Sequence, residues 1–544
     1  MFTKYFGLRG NALNLAISII AGLDFFLFGY DQGVTGGLLE MPSFTKHFEA
    51  IDQTQAHLDT FPPDVRQSEK SRRATYQGIT VASYNLGCFL GAIFTIFIGD
   101  RLGRKKTIFF GSIIMIIGAI LQCTSFELPQ FIVGRIVTGW GNGMNTSTVP
   151  MWQSETASAH HRGKLVMIEG FVWIGDKEVA WRFPLAFQIV FAAVIFSTIL
   201  YLPESPRWLI MRGRNKEALE VLAVIADLPE DDPTIITELR SVETTVEEMS
   251  QGSFKSLFKM SEYREFHRVV LAYVSQMYQQ ISGINLITYY APTLYNNIGL
   301  KGHNYAQLLA ACNGTEYLMS AFIPIFIIEK VGRRQLMLFG AAGQAVSMAV
   351  LAGTMYRMNE LGDTQAGIGQ AVFLFVFNTF FGIGWLSTTW LYPAEIVPLK
   401  IRAQTNALST SANWIFNFMV VMICPVAFAN IGYKTYIIFA VINAFIFPTV
   451  YFFFPETRRR SLEEMDIIFK KTNSIFDCVK VAANEPHRYD EKGRLKPEYI
   501  NTGEPRKGSL QSDGEAHHIN DVDLESANEK PSGNIGTSAH YDQV

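Results

Sequence analysis

The chain has 544 residues, 49% of them hydrophobic and 13% aromatic, with a formal net charge of -3. Its charged residues gather between long apolar blocks instead of spreading as on a soluble surface, which points to a membrane protein. The absence of a basic groove or nucleic-acid motif excludes nucleic acid as a partner, and the absence of a GxxxxGK[ST] loop excludes pumping driven by ATP.

In chain order, the first apolar block, about Asn11 to Leu39, is long enough to be retained as a signal anchor. A helix needs about 20 mostly apolar residues to cross the bilayer. Eleven blocks meet that length, centred near Phe26, Leu86, Met115, Val137, Val190, Ile281, Ala321, Ala345, Phe377, Phe416 and Ile442. A twelfth candidate, Leu165 to Gly175, has eleven residues before Asp176, Lys177 and Glu178 interrupt it. Its reach is about 16 Å, short of a comfortable crossing. Arg101, Arg104, Lys105 and Lys106, then Lys330, Arg333 and Arg334, then Arg458, Arg459 and Arg460 mark cytoplasmic turns. The polar stretch from Glu40 to Arg73 is then an outside loop, and Pro203 to Arg268 is a long cytoplasmic loop with helical patches. From Lys470 the chain is polar without apolar periodicity and reads as a disordered tail. The five cysteines lie far apart and show no CxxC spacing, so neither a disulfide nor a metal site is expected. The sequons at Asn145 and Asn313 fall inside apolar blocks and are not glycosylation sites.

Two halves carry the same punctuation, as in transporters built from duplicated bundles. Gly99 to Lys105 answers Glu329 to Arg334, Pro150, Glu155 and Arg162 answer Pro393, Glu395 and Arg402, and Pro203-Glu204-Ser205 answers Pro455-Glu456-Thr457. The interval Arg162 to Glu204 is 42 positions and its counterpart Arg402 to Glu456 is 54, so the first half is short at its fifth span.

These motifs resemble the sugar porter family of the major facilitator superfamily from about Gly10 to Phe469. The residues that carry the likeness are Phe28 to Gly33, Gly99 to Lys106, Gly134-Arg135, Pro203 to Arg207, Gln279 to Asn285 and Pro455-Glu456-Thr457. Asn313 to Tyr317 and Val166 to Gly170 are most similar to the fungal branch that includes hexose, lactose and glycerol-proton carriers. The resemblance implies an all-α membrane protein of two six-helix bundles related by pseudo-twofold symmetry, and the short interval in the first half makes its fifth helix truncated in this chain. The expected division is 1–202 for the first bundle (short fifth helix 165–175), 203–268 for the cytoplasmic helical loop, 269–469 for the second bundle and 470–544 for the tail.

Asp31 lies in the middle of an apolar helix, where an ionised side chain costs at least about 2.5 kcal/mol. Arg135 in the fourth span is its natural partner, and a carboxylate facing a fixed guanidinium is a protonation switch. The resemblance implies that this pair couples transport to a proton; Asp24, two turns earlier, receives no role. Gln279, Gln280 and Asn285, with Tyr289 and Tyr290, supply the neutral donors and acceptors and the aromatic surface that a hydroxylated substrate needs. The resemblance adds Trp390 as a stacking plate and Asn413 as a further polar contact, while Tyr317 stands where many relatives have Asn. It also implies a cytoplasmic gate of ion pairs from Asp100, Arg101, Arg104, Glu155 and Arg162 in one half and Glu329, Arg333, Glu395 and Arg402 in the other. The resulting expectation is not an enzyme but a proton-coupled carrier of a monosaccharide or polyol, monomeric, in the plasma membrane, with a proton as co-substrate and no other cofactor. The alternatives are a passive facilitator, a transporter-like nutrient sensor and a transport-defective variant lacking part of the fifth helix.

Overall fold

A computed structural model describes residues 4–156, 178–250, 257–298, 305–460 and 462–486 of the chain. The short block at 165–175 and Arg162 lie outside the described residues, as does the tail beyond 486.

The long elements, in order, are α1 (Gly10–Leu38), α2 (Arg66–Leu102), α3 (Arg104–Cys123), α4 (Leu128–Thr156) and α5 (Glu178–Ile199). Short helices α6 (Pro206–Met211), α7 (Asn215–Ala226) and α8 (Pro233–Ser250) follow on the cytoplasmic side. The second half holds α9 (Glu265–Gln279), α10 (Asn285–Asn297), α11 (Tyr305–Val331), α12 (Arg333–Glu360), α13 (Ala366–Phe381), α14 (Thr388–Ile396), α15 (Leu399–Ile431) and α16 (Lys434–Phe453). Nine helical stretches among the described residues are long and apolar enough to cross a membrane. Two more expected spans, α4 and the broken rod α9–α10, are more polar because they turn polar side chains inward. Buried on α4 are Arg135, Thr138, Asn142, Asn145, Thr146 and Thr148, and buried on the rod are Gln276, Gln279, Gln280 and Asn285.

Two local features position the site. The rod breaks at a π-helical turn, Gln280–Ile284, where Gly283 has φ 105 and a Cβ would stand 2.7 Å from the Met348 methyl. Only glycine fits both the dihedral and the space. The repeated basic turns enter α3 and α12 through Gly103 and Gly332, with φ 90 and 102. Such positive values let the chain reverse and leave the first amides of each helix free for an anion.

The loop after α1 is folded: Phe44, from its short helix Pro42–His47, packs 5.5 Å from both Phe131 and Trp181. One boundary needs correction. The tail expected to be disordered from Lys470 continues as helix through α17 (Leu462–Lys471) and α18 (Cys478–Asn484). The buried side chains Met465, Ile468, Phe469, Cys478 and Ala482 hold these two helices to the core at a spacing too short to show as a periodic pattern.

Candidate functional site

Asp31 on α1 and Arg135 on α4 meet, Arg135 Nη1 donating to Asp31 Oδ1 at 2.9 Å with both side chains at 0% exposure. Arg135 also donates to the Val81 carbonyl at 3.4 Å and lies 4.7 Å from the centre of the Tyr84 ring. Asp31 Oδ2 and Arg135 Nε have no hydrogen-bond partner, so the pair is joined by one bond and not by a bidentate fork. A pair held this way retains capacity: the free oxygen can take a proton without first displacing another donor.

The amides of the broken rod form one connected cluster. Asn413 Nδ2 on α15 donates to Gln276 Oε1 at 2.6 Å and to Gln279 Oε1 at 2.8 Å. Gln280 Nε2 donates to Gln279 Oε1 at 3.2 Å, and Asn285 Nδ2 donates to Gln280 Oε1 at 2.6 Å. The rod is tied to the break between α13 and α14, Gln279 Nε2 donating to the Trp385 carbonyl at 3.1 Å and Gln276 Nε2 to the Thr389 carbonyl at 3.2 Å. Trp390, the expected stacking plate, follows Thr389 and is 39% exposed, while Trp385 is fully buried. Tyr289 hydroxyl donates to Asn85 Oδ1 at 3.0 Å, and Asn85 Nδ2 donates to Asn417 Oδ1 at 2.9 Å. This chain of polar groups joins α2 of the first half to α10 and α15 of the second. Tyr317 sits apart from the cluster, beside Phe381 at 6.0 Å between ring centres.

Gln276, Asn85 and Asn417 were not among the expected site residues. Gln276 had a signal, since it lies one turn before Gln279 and Gln280 on the same face. Asn85 and Asn417 are isolated in long apolar helices, and only the fold brings them together.

The two ends of the bundle differ. At the outside end Glu40, which closes α1, accepts from Thr293 and Asn296 of α10. There Gln67 donates to the Ala429 carbonyl at 3.0 Å and Asn430 to Ser71 Oγ at 3.0 Å, so α2 and α15 also touch. At the cytoplasmic end a cleft opens between the halves, lined by Thr95, Gly99, Arg104, Ser147, Met151 and Gln404.

Several residues of the expected gate form ion pairs between helices. Arg104 Nε is 3.1 Å from Glu155 Oε2 and Arg333 Nη2 is 2.7 Å from Glu395 Oε1 and 2.6 Å from Glu329 Oε1. Each pair joins helices of one half. Duplication explains this, because each half carries its own complete copy. Arg101 is exposed, Arg402 donates to the Val397 carbonyl at 3.1 Å within its own turn, and the Asp100 side chain lies outside what is described. Each brace has a carboxylate that the expected gate left out. Glu204 accepts from the backbone amides of Arg104 and Lys105 at 3.1 and 3.2 Å, and Glu456 from those of Arg333 and Arg334 at 2.9 and 3.2 Å. Burial pushes the Glu204 carboxyl above its ordinary value, against the pull of the amides and of Lys105 and Arg104.

Comparison with known proteins agrees with this architecture. The family described as Sugar (and other) transporter matches residues 16–469. The sugar transporter STL1 of Saccharomyces cerevisiae is 40% identical over 86% of this chain and 83% of its own length. The MFS-type transporter oryC of Aspergillus oryzae is 39% identical over 89% of this chain and 91% of its own. The solved structure of the proton:xylose symporter XylE bound to 6-bromo-6-deoxy-D-glucose superposes with a TM-score of 0.67 at 23% identity, over 85% of this chain and 100% of that one. At that identity the likeness is one of fold.

Proposed function

This chain belongs to the Sugar (and other) transporter family, a multi-pass membrane protein with the major facilitator fold and not an enzyme, and on that premise we propose that it imports a hexose-like monosaccharide or a polyol together with a proton by alternating access. The observation that carries the reading is the buried Asp31–Arg135 pair, held by a single 2.9 Å bond with one carboxylate oxygen unused. Protonation of Asp31 removes its attraction for Arg135 and frees the guanidinium, whose remaining contacts are the Val81 carbonyl and the face of Tyr84. The two charge states then favour different packings of α1 on α4, which is what coupling requires.

The amide cluster supplies the substrate end. Asn413, Gln276, Gln279, Gln280 and Asn285 are linked to one another by hydrogen bonds. Hydroxyls of an entering sugar exchange with these bonds, each exchange contributing about 0.5–1.5 kcal/mol net. Several of them together with an apolar sugar face against Trp390 give the modest affinity that a carrier needs in order to release its cargo. The reading further places the protein as a monomer in the plasma membrane.

The test is uptake of labelled D-glucose, D-xylose and glycerol in a transporter-null cell with simultaneous recording of external pH. Uptake with alkalinisation of the medium, lost in Asp31→Asn, is the expected outcome. Uptake without alkalinisation, unchanged in Asp31→Asn, makes the protein a facilitator and sinks the coupling.

A further inference from the structure

A second acid lies buried on the same helix seam. Asp24 of α1 is 1% exposed, and Asn145 Nδ2 of α4 donates to its Oδ1 at 2.7 Å. Asp24 Oδ2 and Asn145 Oδ1 both lack a partner. Asn145 lies against α3 as well, its amide 3.4 Å from Ser112 Oγ, whose own hydroxyl donates to the Ile108 carbonyl. The ionisable groups on the elements packed against α1 are engaged elsewhere. Arg135 is bound to Asp31, Glu155 to Arg104, Arg182 to Glu178 and the Cys123 carbonyl, Tyr289 to Asn85 and Tyr290 to the Val421 carbonyl. On α1 itself Tyr30 donates to the Pro184 carbonyl, and on α7 Lys216 and Glu217 are exposed while Glu220 lies near Tyr5. Asp24 therefore has no cation beside it among the described residues.

The partner chemistry separates the two acids. A guanidinium has donors only, so Arg135 can satisfy Asp31 when it is charged and offers nothing to a carboxylic acid O–H. A carboxamide has both: the Asn145 amide N–H serves an ionised Asp24, and turning the amide over presents its unused carbonyl oxygen to a protonated one. Asp31 sits in a site built to hold a charge, and Asp24 in one that accommodates either protonation state at little cost in lost hydrogen bonds. Seven positions along α1 place Asp24 about 10 Å from Asp31, on the cytoplasmic side of it, because α1 begins at the cytoplasmic face.

We propose that Asp24, with Asn145 as its two-faced partner, is the relay that carries the coupled proton from Asp31 to the cytoplasm along the α1–α4 seam. This inference rests on the proton-coupled reading above. In the step itself the O–H bond at Asp31 breaks, water passes the proton over the intervening distance, and an O–H bond forms at Asp24 Oδ2. Asp31 returns to its bond with Arg135, and Asp24 then releases the proton to cytoplasmic water.

The test uses the full chain reconstituted in liposomes, with whichever of D-glucose, D-xylose and glycerol the wild-type protein takes up as the probe. Two rates are compared: net uptake driven by an imposed pH gradient, and equilibrium exchange, in which no net proton need cross. Asp24→Asn keeps the shape of the side chain and its place beside Asn145 while removing the titratable oxygen. The expected result is exchange within about twofold of wild type with net uptake down at least about a hundredfold, the lower end of what a positioned proton-transfer group contributes. Asp24→Glu, which restores a titratable group, recovers most of the net rate. Unchanged net uptake in Asp24→Asn overturns the relay, and so does an equal fall in both rates, which marks a strut between helices. A wild-type protein that moves no probe, or moves it without a proton, overturns the coupled reading and the relay together, whereas failure in Asp24→Asn alone leaves the coupled reading standing.

Discussion

Removing either member of the Asp31–Arg135 pair destabilises the protein far more than removing both. At the observed 2.9 Å, two unit charges attract by about 6 kcal/mol at an effective dielectric constant of about 20. Desolvation of two fully buried ions offsets much of that attraction, so the pair as a whole contributes little net stability. Asp31→Asn changes the balance: Arg135 stays charged and buried with no counter-charge, only neutral partners in the new amide carbonyl, the Val81 carbonyl and the Tyr84 face, at a cost of about 3–5 kcal/mol. Arg135→Gln strands the carboxylate by a similar amount. The double variant places two neutral amide-bearing side chains where the ions stood, and its stability returns to within about 1 kcal/mol of wild type. The assay is a melting series of the four proteins in detergent, followed by fluorescence-detected size-exclusion chromatography, beside external pH recording during uptake. Both single variants melt well below wild type, the double variant melts close to it, and none of the three alkalinises the medium because the switch has lost its titrating acid or its counter-charge. A double variant whose loss equals the sum of the two singles refutes the reasoning, since the two sites are then energetically independent.

Asn413→Ala removes the donor shared by Gln276 and Gln279, leaving the Gln276 carbonyl unpaired and the Gln279 carbonyl with the Gln280 amide alone, so the KM for the transported sugar rises about tenfold, at about 1–2 kcal/mol; an unchanged KM places the sugar elsewhere. Glu40→Ala removes the carboxylate that accepts from Thr293 and Asn296 and loosens the outer closure. A Thr35→Cys probe, buried at that end in the parent, then reacts with an impermeant maleimide about tenfold faster, and an unaltered rate shows that Glu40 does not hold the outside shut. Gly283→Ala asks for φ 105 in a residue with a Cβ and brings that atom to 2.7 Å from Met348, costing about 1–3 kcal/mol and lowering the melting temperature. A melting temperature equal to wild type shows that the π turn relaxes freely.

The eleven long apolar blocks were visible in the sequence because lipid imposes a length and a composition on whatever crosses it. The repeat was visible for a related reason, since the same turn chemistry is needed wherever the chain reverses at the cytoplasmic face. What those turns do was not visible. Arg104, Glu155, Arg333 and Glu395 read as interhelix ion pairs, but a residue list has no means of saying which helices such a pair joins. Glu204 and Glu456 were seen as matching punctuation and not as anion caps, because the amides that they accept belong to residues 99 to 123 positions away.

Asp24 and Asp31 present the same sequence signal: one carboxylate each, seven positions apart, in one apolar helix. Family resemblance singles out Asp31 and is silent on Asp24. What separates them physically is the residue across the seam, 104 positions away for one and 121 for the other. A guanidinium partner makes an acid a switch, because one of its two charge states loses the ionic attraction and finds no acceptor for its O–H. A carboxamide partner makes an acid a passage, because both states keep a hydrogen bond. The chemical role of a membrane carboxylate is therefore set less by its own position than by the donor and acceptor inventory of the group it faces. Any further acid in the spans of this fold can be sorted by the same criterion: Glu316, half-buried and accepting from the Thr379 hydroxyl at 2.6 Å, faces a group with both a donor and an acceptor and falls on the side of Asp24.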